Sequence, residues 1–242
     1  MPSRRYVIIN ADDFGQSRGI NRGVIQAHEQ GLVTSASLMV RWPAAAEAAA
    51  YGRERPNLSL GIHIDLGEWA YRDGAWVALY QVVPADDERA VADEVARQLS
   101  AFRRLTGAEP THIDSHQHAH LREPLRSVVM EVARQARIHV RHCSPDVTYC
   151  GEFYGQTAEG APLPGRVTTE ELIRILAALP PGFTEIGCHP GAGDDLDTMY
   201  RTERGEEVKV LCDPRVRQAV IALGIELCSF VDVRARPASP AR

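Results

Sequence analysis

A chain of 242 residues, 44% apolar and 24% charged, can build one large hydrophobic core and is too apolar for a disordered polymer. Its net charge of −5 argues against general attraction to nucleic acid, and Arg103 with Arg104 and Arg134 with Arg137 read as solvated helix faces. No apolar run is long enough for a membrane span or a signal-peptide core. The five cysteines, odd in number and without a C-x-x-C pair, read as reduced thiols of a cytoplasmic protein.

Strands are predicted near residues 6–11, 33–40, 58–65, 110–115, 138–142, 183–188 and 225–230. The first runs through Tyr6-Val-Ile-Ile-Asn-Ala11 and ends abruptly in Asp12, Asp13, Phe14 and Gly15. Two adjacent carboxylates repel, so both stay ionised easily only beside a cation; the plainer alternative is an acidic turn, with Asp13 or Ser17 capping the next helix. That helix, 17–30, carries Ile20, Val24, Ile25 and Ala27, with Gly31 as its stop. An alanine-rich helix opens at Pro43. From Leu58 to Leu66 the apolar residues alternate onto one face, leaving Ser59, Gly61, His63 and Asp65 on the other. Residues 88–106 place Val91, Val95, Leu99, Phe102 and Leu105 on one stripe, and Gly107 ends it.

The segment Thr111-His-Ile-Asp-Ser-His-Gln-His-Ala-His120 holds four of the nine histidines. On a strand, His112, Asp114 and His116 share a face, and the later histidines fall in a loop that can fold back. Such a cluster is suited to metal ligation, although an exposed His-rich loop has the same composition. A helix opens at Pro124 and another at Thr168, where Thr168 and Glu171 form a capping box. In the strand near 183–188, Glu185, Gly187 and His189 share a face, with His189 at the exit and Cys188 pointing the other way. Asp213-Pro214 starts the last predicted helix and Gly224 ends it.

Strands alternating with helices define a parallel α/β fold, in which reactive residues gather at the C-terminal strand ends. All four polar clusters lie at such ends. One domain spans 1–236, and the Pro/Ala/Arg-rich stretch 237–242 is expected to be a disordered tail. The connections 67–87 and 146–165 carry Trp69, Tyr71, Trp76 and Tyr80, then Tyr149, Phe153 and Tyr154. Both follow strands and should overhang the site, where flat aromatic faces suit sugar rings.

Asn10-Ala-Asp-Asp-Phe-Gly15, Gly61-Ile-His-Ile-Asp65, the His112–His120 segment and Cys188-His-Pro-Gly191 together resemble the YdjC-like carbohydrate deacetylases, which include the chitooligosaccharide deacetylases. The resemblance covers about residues 4–233, with the motifs in family order. It implies a single-domain, deformed (β/α) barrel of seven parallel strands and one divalent metal ion, Mg²⁺ or Zn²⁺, with Mn²⁺ or Co²⁺ also compatible with the ligands. It implies removal of an N-acetyl group from a small carbohydrate. Residue by residue, Asp13, His63 and His116 match the metal ligands and Asp12 the catalytic base. Gln117 stands where some members have another histidine, which leaves the ligand set intact.

The chemistry is coherent: a divalent ion polarises the acetamide and activates water, Asp12 accepts a proton, and His189 protonates the amine, with His118 or His120 as alternatives. Asp114 is expected to orient a ligand histidine. Asp65 is expected to orient a neighbouring group or bind sugar hydroxyls, and Trp69 and Tyr154 to contact substrate. Two other readings are a metal-dependent hydrolase of a phosphoester or non-sugar amide, and a barrel that binds metal without turnover. The size also admits a homodimer.

Overall fold

The computed structural model describes residues 4–192 and 195–235; the tail expected at 237–242 lies outside them. In chain order the elements are β1 (Arg5–Phe14), α1 (Arg18–Glu29), β2 (Ser35–Leu38), α2 (Ala45–Glu54), β3 (Ser59–Ile64), β4 (Gly67–Arg72), β5 (Ala75–Gln81), α3 (Glu88–Thr106) and β6 (His112–Ser115). A 3₁₀ segment over His116–Leu121 precedes α4 (Leu125–Ala136), β7 (His139–Val140), β8 (Val147–Cys150), α5 (Thr169–Ala178), β9 (Gly182–Cys188), α6 (Thr202–Leu211), α7 (Pro214–Ala222), β10 (Ile225–Leu227) and α8 (Phe230–Ala235).

Seven strands form one parallel path in the order β7-β6-β3-β2-β1-β9-β8. The eighth, β10, shares an edge of β1 with β2: it pairs at Arg5–Val7, and β2 takes over from Asn10. The two ends of the path, β7 and β8, are consecutive in the chain but not paired, so the sheet curls into an open barrel.

All seven expected strands are present. The helix signals act as read: Ser17 caps α1, Thr168 Oγ1 accepts from the Glu171 amide, Asp213 caps α7, and Gly107 closes α3 with φ 72°. Three strands were not expected. β8 is four residues long and lies within the predicted 146–165 connection. β4 and β5 form an antiparallel hairpin within the 67–87 connection, joined by Asp73-Gly74 with both φ angles positive. An Asp-Gly pair between aromatic-rich runs is a hairpin signal, so this element was legible in the residues. Two helices were also not expected, the short α8 and the longer α6. Helix α6 turns a charged pair, Arg204 and Glu207, inward, which erases the apolar stripe that marks a helix in sequence.

The barrel strands sort their side chains by face. Val7, Ile9, Ile62, Ile113, Ile186 and Cys188 point outward into the core shared with the helices. The inward face of β1 runs from Ile8 through Asn10 to Asp12, from an apolar floor to a polar mouth. Phe230 of α8 helps make that floor, stacking on His112 at 3.9 Å and lying 5.0 Å from His139. Gly61 admits the His112 ring: a Cβ there would stand 2.3 Å from it.

Candidate active site

Adjacent strand residues normally face opposite ways, yet Asp12 and Asp13 both reach the site. Asp13 itself adopts a left-handed backbone, φ 62°, and the β1–β2 register slips between Ala11 and Phe14. The chain therefore bends within the acidic pair itself, two residues before Gly15. A non-glycine residue in this conformation costs about 1 kcal/mol or more and is retained where the surroundings hold it.

What holds Asp13 is a ring of donors. Its Oδ1 lies 3.0 Å from His116 Nδ1 and 3.3 Å from His63 Nε2, and its Oδ2 accepts from Arg204 of α6 at 2.6 Å. His63 is turned by Asp114, whose Oδ1 is 2.7 Å from Nδ1. Burial raises the Asp13 pKa, but Arg204 and His116 outweigh it and hold the carboxyl well below its ordinary value. Burial works against protonation of both imidazoles, yet the carboxylates win. Asp114 leads for His63, which is raised well above its ordinary value, and Asp13 for His116, which is raised to about 9.

These three residues suit a divalent cation. One ligand atom from each lies within 4.8 Å of the others. A tetrahedral site with bonds of about 2.1 Å has ligand-to-ligand edges of roughly 3.4 Å, close to the two Asp13–histidine separations. An imidazole whose other nitrogen is held by a carboxylate is the usual form of a metal-binding histidine. The cluster also draws positive charge to itself, and a cation would replace the protons on the imidazoles.

Asp12 occupies a different environment. Arg141, just beyond β7, grips it at 2.6 and 2.7 Å and also reaches Asp114 at 2.9 Å and Glu185 of β9 at 2.7 Å. Asn10 adds a bond of 2.9 Å to Asp12 Oδ1. Burial raises Asp12, but Arg141 outweighs it, so the carboxyl stays ionised with its pKa lowered. Glu185, more desolvated than compensated, is lifted to about 7. His189 Nε2 lies 3.7 Å from Asp12 Oδ2, and burial pulls that imidazole down to about 4, leaving it neutral at pH 7.

His189 is framed from α6. Glu207 accepts short bonds from the His189 amide and the Tyr200 hydroxyl, and burial lifts its pKa to about 8. The rings of Tyr154 and Tyr200 stack at 4.5 Å and approach His189 at 5.4 and 5.3 Å. The segment after His189 crosses α1 backbone to backbone: a Cβ on Gly23 would stand 2.3 Å from Gly191. A cavity of about 890 Å³ opens over these groups, lined by Asp12, Asp13, His63, His116 and His189 and rimmed by Trp69, Trp76, Phe153 and Tyr154.

The other expected site residues fall in different places. Asp114 is fully buried behind His63. His118 lines the cavity with a buried, unpartnered Nδ1, and burial takes its pKa to about 3. His120 does not line the cavity: its ring bonds Ser115 Oγ at 2.6 Å and the Arg141 carbonyl at 3.1 Å, which makes it a strut under the 3₁₀ segment. Asp65 is also away from the cavity. Its carboxylate accepts from Arg41 at 3.0 Å, Trp42 at 3.1 Å and Tyr80 at 2.9 Å, so it pins the root of the hairpin, with no oxygen turned to the cavity. Tyr80 is thereby taken up in structure, whereas Trp69 and Tyr154 do line the cavity.

Sequence reading missed Arg141, Arg204, Glu207 and Glu68. A charge at the end of a predicted strand was the available signal for Arg141. Arg204 and Glu207 lie on an unpredicted helix, and Glu68, which lines the cavity, is bonded by Thr198 from 130 positions away.

A family model described as YdjC-like protein matches residues 6–222. A carbohydrate deacetylase of Geobacillus stearothermophilus is 33% identical, covering 93% of this chain and 97% of its own length. A chitooligosaccharide deacetylase of Salmonella typhimurium is 30% identical, with 95% and 99% covered. A crystal structure from Enterococcus faecalis, provisionally described as a cellobiose-phosphate cleavage protein, superposes with a TM-score of 0.75 at 26% identity, covering 96% of this chain and 99% of that one. The chain thus has relatives over nearly all of its length. The chain belongs to the YdjC-like family.

Proposed function

We propose that this protein is a metal-dependent hydrolase that removes the N-acetyl group from an acetylated amino sugar or short oligosaccharide, releasing acetate. The observation that carries this reading is the convergence of Asp13, His63 and His116 beneath an aromatic-rimmed cavity, with Asp12 and His189 beside them. The relatives named as carbohydrate deacetylases support it.

A divalent ion held by the three ligands would polarise the acetamide carbonyl and acidify a water near neutral pH. Two imidazoles favour Zn²⁺ or Co²⁺ over Mg²⁺. Asp12 receives the water's proton. A carboxylate offers about four lone-pair directions; Arg141 takes two and Asn10 one, which leaves one on Oδ2. That oxygen faces His189 Nε2 across 3.7 Å. Because Arg141 lowers the proton affinity of Asp12, the proton passes on readily. His189, neutral at rest, takes it and delivers it to the amine nitrogen as the C–N bond breaks. Trp69 and Tyr154 hold the sugar by their ring faces. The five cysteines, which form no disulfide among the described residues, fit a cytoplasmic location.

A two-metal phosphoesterase fits less well. The second possible ligand group, Asp12, His63 and Asp114, has both carboxylates engaged by Arg141, and a second dication there would face a guanidinium. The test is acetate release from mono-, di- and trisaccharides of N-acetylglucosamine by chelator-treated protein, before and after adding Zn²⁺, Co²⁺ or Mg²⁺. Activity lost with the chelator and restored by an ion is expected. Full acetate release by metal-stripped protein, or none with any ion, refutes the proposal.

A further inference from the structure

Each ligand imidazole needs its non-ligating nitrogen to be satisfied, because that hydrogen bond sets both the tautomer and the ring orientation. For His63 the partner is plain: Nε2 faces Asp13 and Nδ1 is held by Asp114 at 2.7 Å. For His116 the arrangement is mirrored. Nδ1 faces Asp13 at 3.0 Å, and Nε2 is buried without a hydrogen-bond partner. The carboxylate found near it is Glu68, whose Oε2 stands 3.6 Å away, slightly too far for a formed bond.

Glu68 is itself a buried acid, and the protein holds it in place deliberately. Thr198 donates to its other oxygen at 2.9 Å. Glu68 is the second residue of β4, and the hairpin register slips between Glu68 and Trp69, the kind of irregularity that re-aims a side chain. The hairpin is fastened at this point. The Gln117 side-chain amide clasps the Trp69 backbone from both sides, at 2.8 and 3.0 Å, and Tyr80 is tied to Asp65 at the root. Glu68 does not belong to the group of mutually close ligand atoms, which favours an outer partner over a further ligand.

We propose that Glu68 is the positioning carboxylate of His116, as Asp114 is of His63, so that the β4–β5 hairpin sets the orientation of a metal ligand. The inference rests on the reading of Asp13, His63 and His116 as ligands. Closing the 3.6 Å gap by a few tenths of an ångström would complete the bond, with Nε2–H donating to Oε2. The consequence is that an element rimming the substrate cavity also governs metal affinity.

Co²⁺ is a suitable probe, because its visible bands report ligand geometry and its paramagnetism shifts ligand protons. Metal-free full-length protein is titrated with Co²⁺ as wild type, Glu68→Gln, Thr198→Val and His63→Ala. Glu68→Gln is expected to bind Co²⁺ roughly 10–100-fold more weakly, the usual cost of losing such a partner, with its bands unmoved at saturation. In water, its proton NMR spectrum should keep the shifted N–H resonance of His63 and lose that of His116 to exchange. Thr198→Val should weaken binding in the same direction by less. If Glu68→Gln proves unable to fold, Thr198→Val decides, and unchanged affinity there overturns the proposal. Equal affinity for Glu68→Gln and wild type overturns it while leaving the ligand reading intact. Displaced bands at saturation overturn it too, by making Glu68 a ligand. A His63→Ala protein that binds Co²⁺ like wild type would instead refute the underlying site.

Discussion

Asp12 and Asp13 are neighbours with different cations: Arg141 clamps the first and Arg204 touches only one oxygen of the second. That asymmetry predicts separable mutants. Asp12→Asn keeps shape and most bonds but cannot accept a proton, so kcat should fall roughly 10²–10⁴-fold in a folded, metal-loaded protein. Asp13→Asn should lose metal affinity and recover part of its activity at high metal. Near-normal turnover in Asp12→Asn, with Asp13→Asn dead at saturating metal, would reverse the assignment. A second residue-scale prediction concerns Glu207, whose pKa burial raises from 4.5 to about 8. Between those values the unfolded chain gives up a proton that the folded state keeps. Stability therefore falls as pH rises through this window, by up to about 1.4 kcal/mol per pH unit, and levels off above it. Glu207→Gln removes the titration while still offering an acceptor to the His189 amide. Its unfolding free energy, from urea melts at pH 5 and 8, should decline less than that of wild type; equal declines would contradict the account.

At the scale of elements, the hairpin and the segment after β8 carry the cavity's aromatic rim. Trp69 and Tyr154 line the cavity and are assigned no proton transfer in the proposed reaction. Replacing either by Ala should raise KM for N-acetylglucosamine oligosaccharides more than it lowers kcat, the mark of lost uniform binding. Steady-state kinetics on di- and trisaccharides decides it: a collapsed kcat at unchanged KM would mean that these rings act on the transition state. The hairpin was readable from Asp73-Gly74, because a two-residue turn leaves a local signature. Helix α6 was not, because Arg204 and Glu207 on its buried side make an inward face look like a surface one.

For the whole molecule, the decisive feature is that the barrel does not close between β7 and β8. Arg141 enters from that gap and ties together acids of β1, β6 and β9 across the interior. Replacing it by Met leaves three buried carboxylates without their cation, and the loss should be about 3–5 kcal/mol. Adding Glu185→Gln to Arg141→Met should restore part of that, since one stranded charge is gone. Guanidinium melts of the two variants and Glu185→Gln alone form the cycle. If the losses simply add, the guanidinium is not what neutralises Glu185.

What the sequence determined by itself was periodic or local. Alternation along 58–66 defined an inward face bearing His63, the caps at Ser17, Thr168 and Asp213 marked helix starts, and the acids and histidines at strand ends marked the site. Such signals lie within a few residues of one another, where backbone geometry alone dictates which side chains share a face. The tertiary structure decided which charges meet. Arg141 with Asp12 spans 129 positions and Arg204 with Asp13 spans 191, and neither pairing has a local trace. It also decided that Asp65 and His120, in strand-end and loop positions like those of the proposed ligands, are turned to structural bonds. Buried polar groups must be satisfied by whatever the fold brings within about 3 Å, and that is a property of the packed chain.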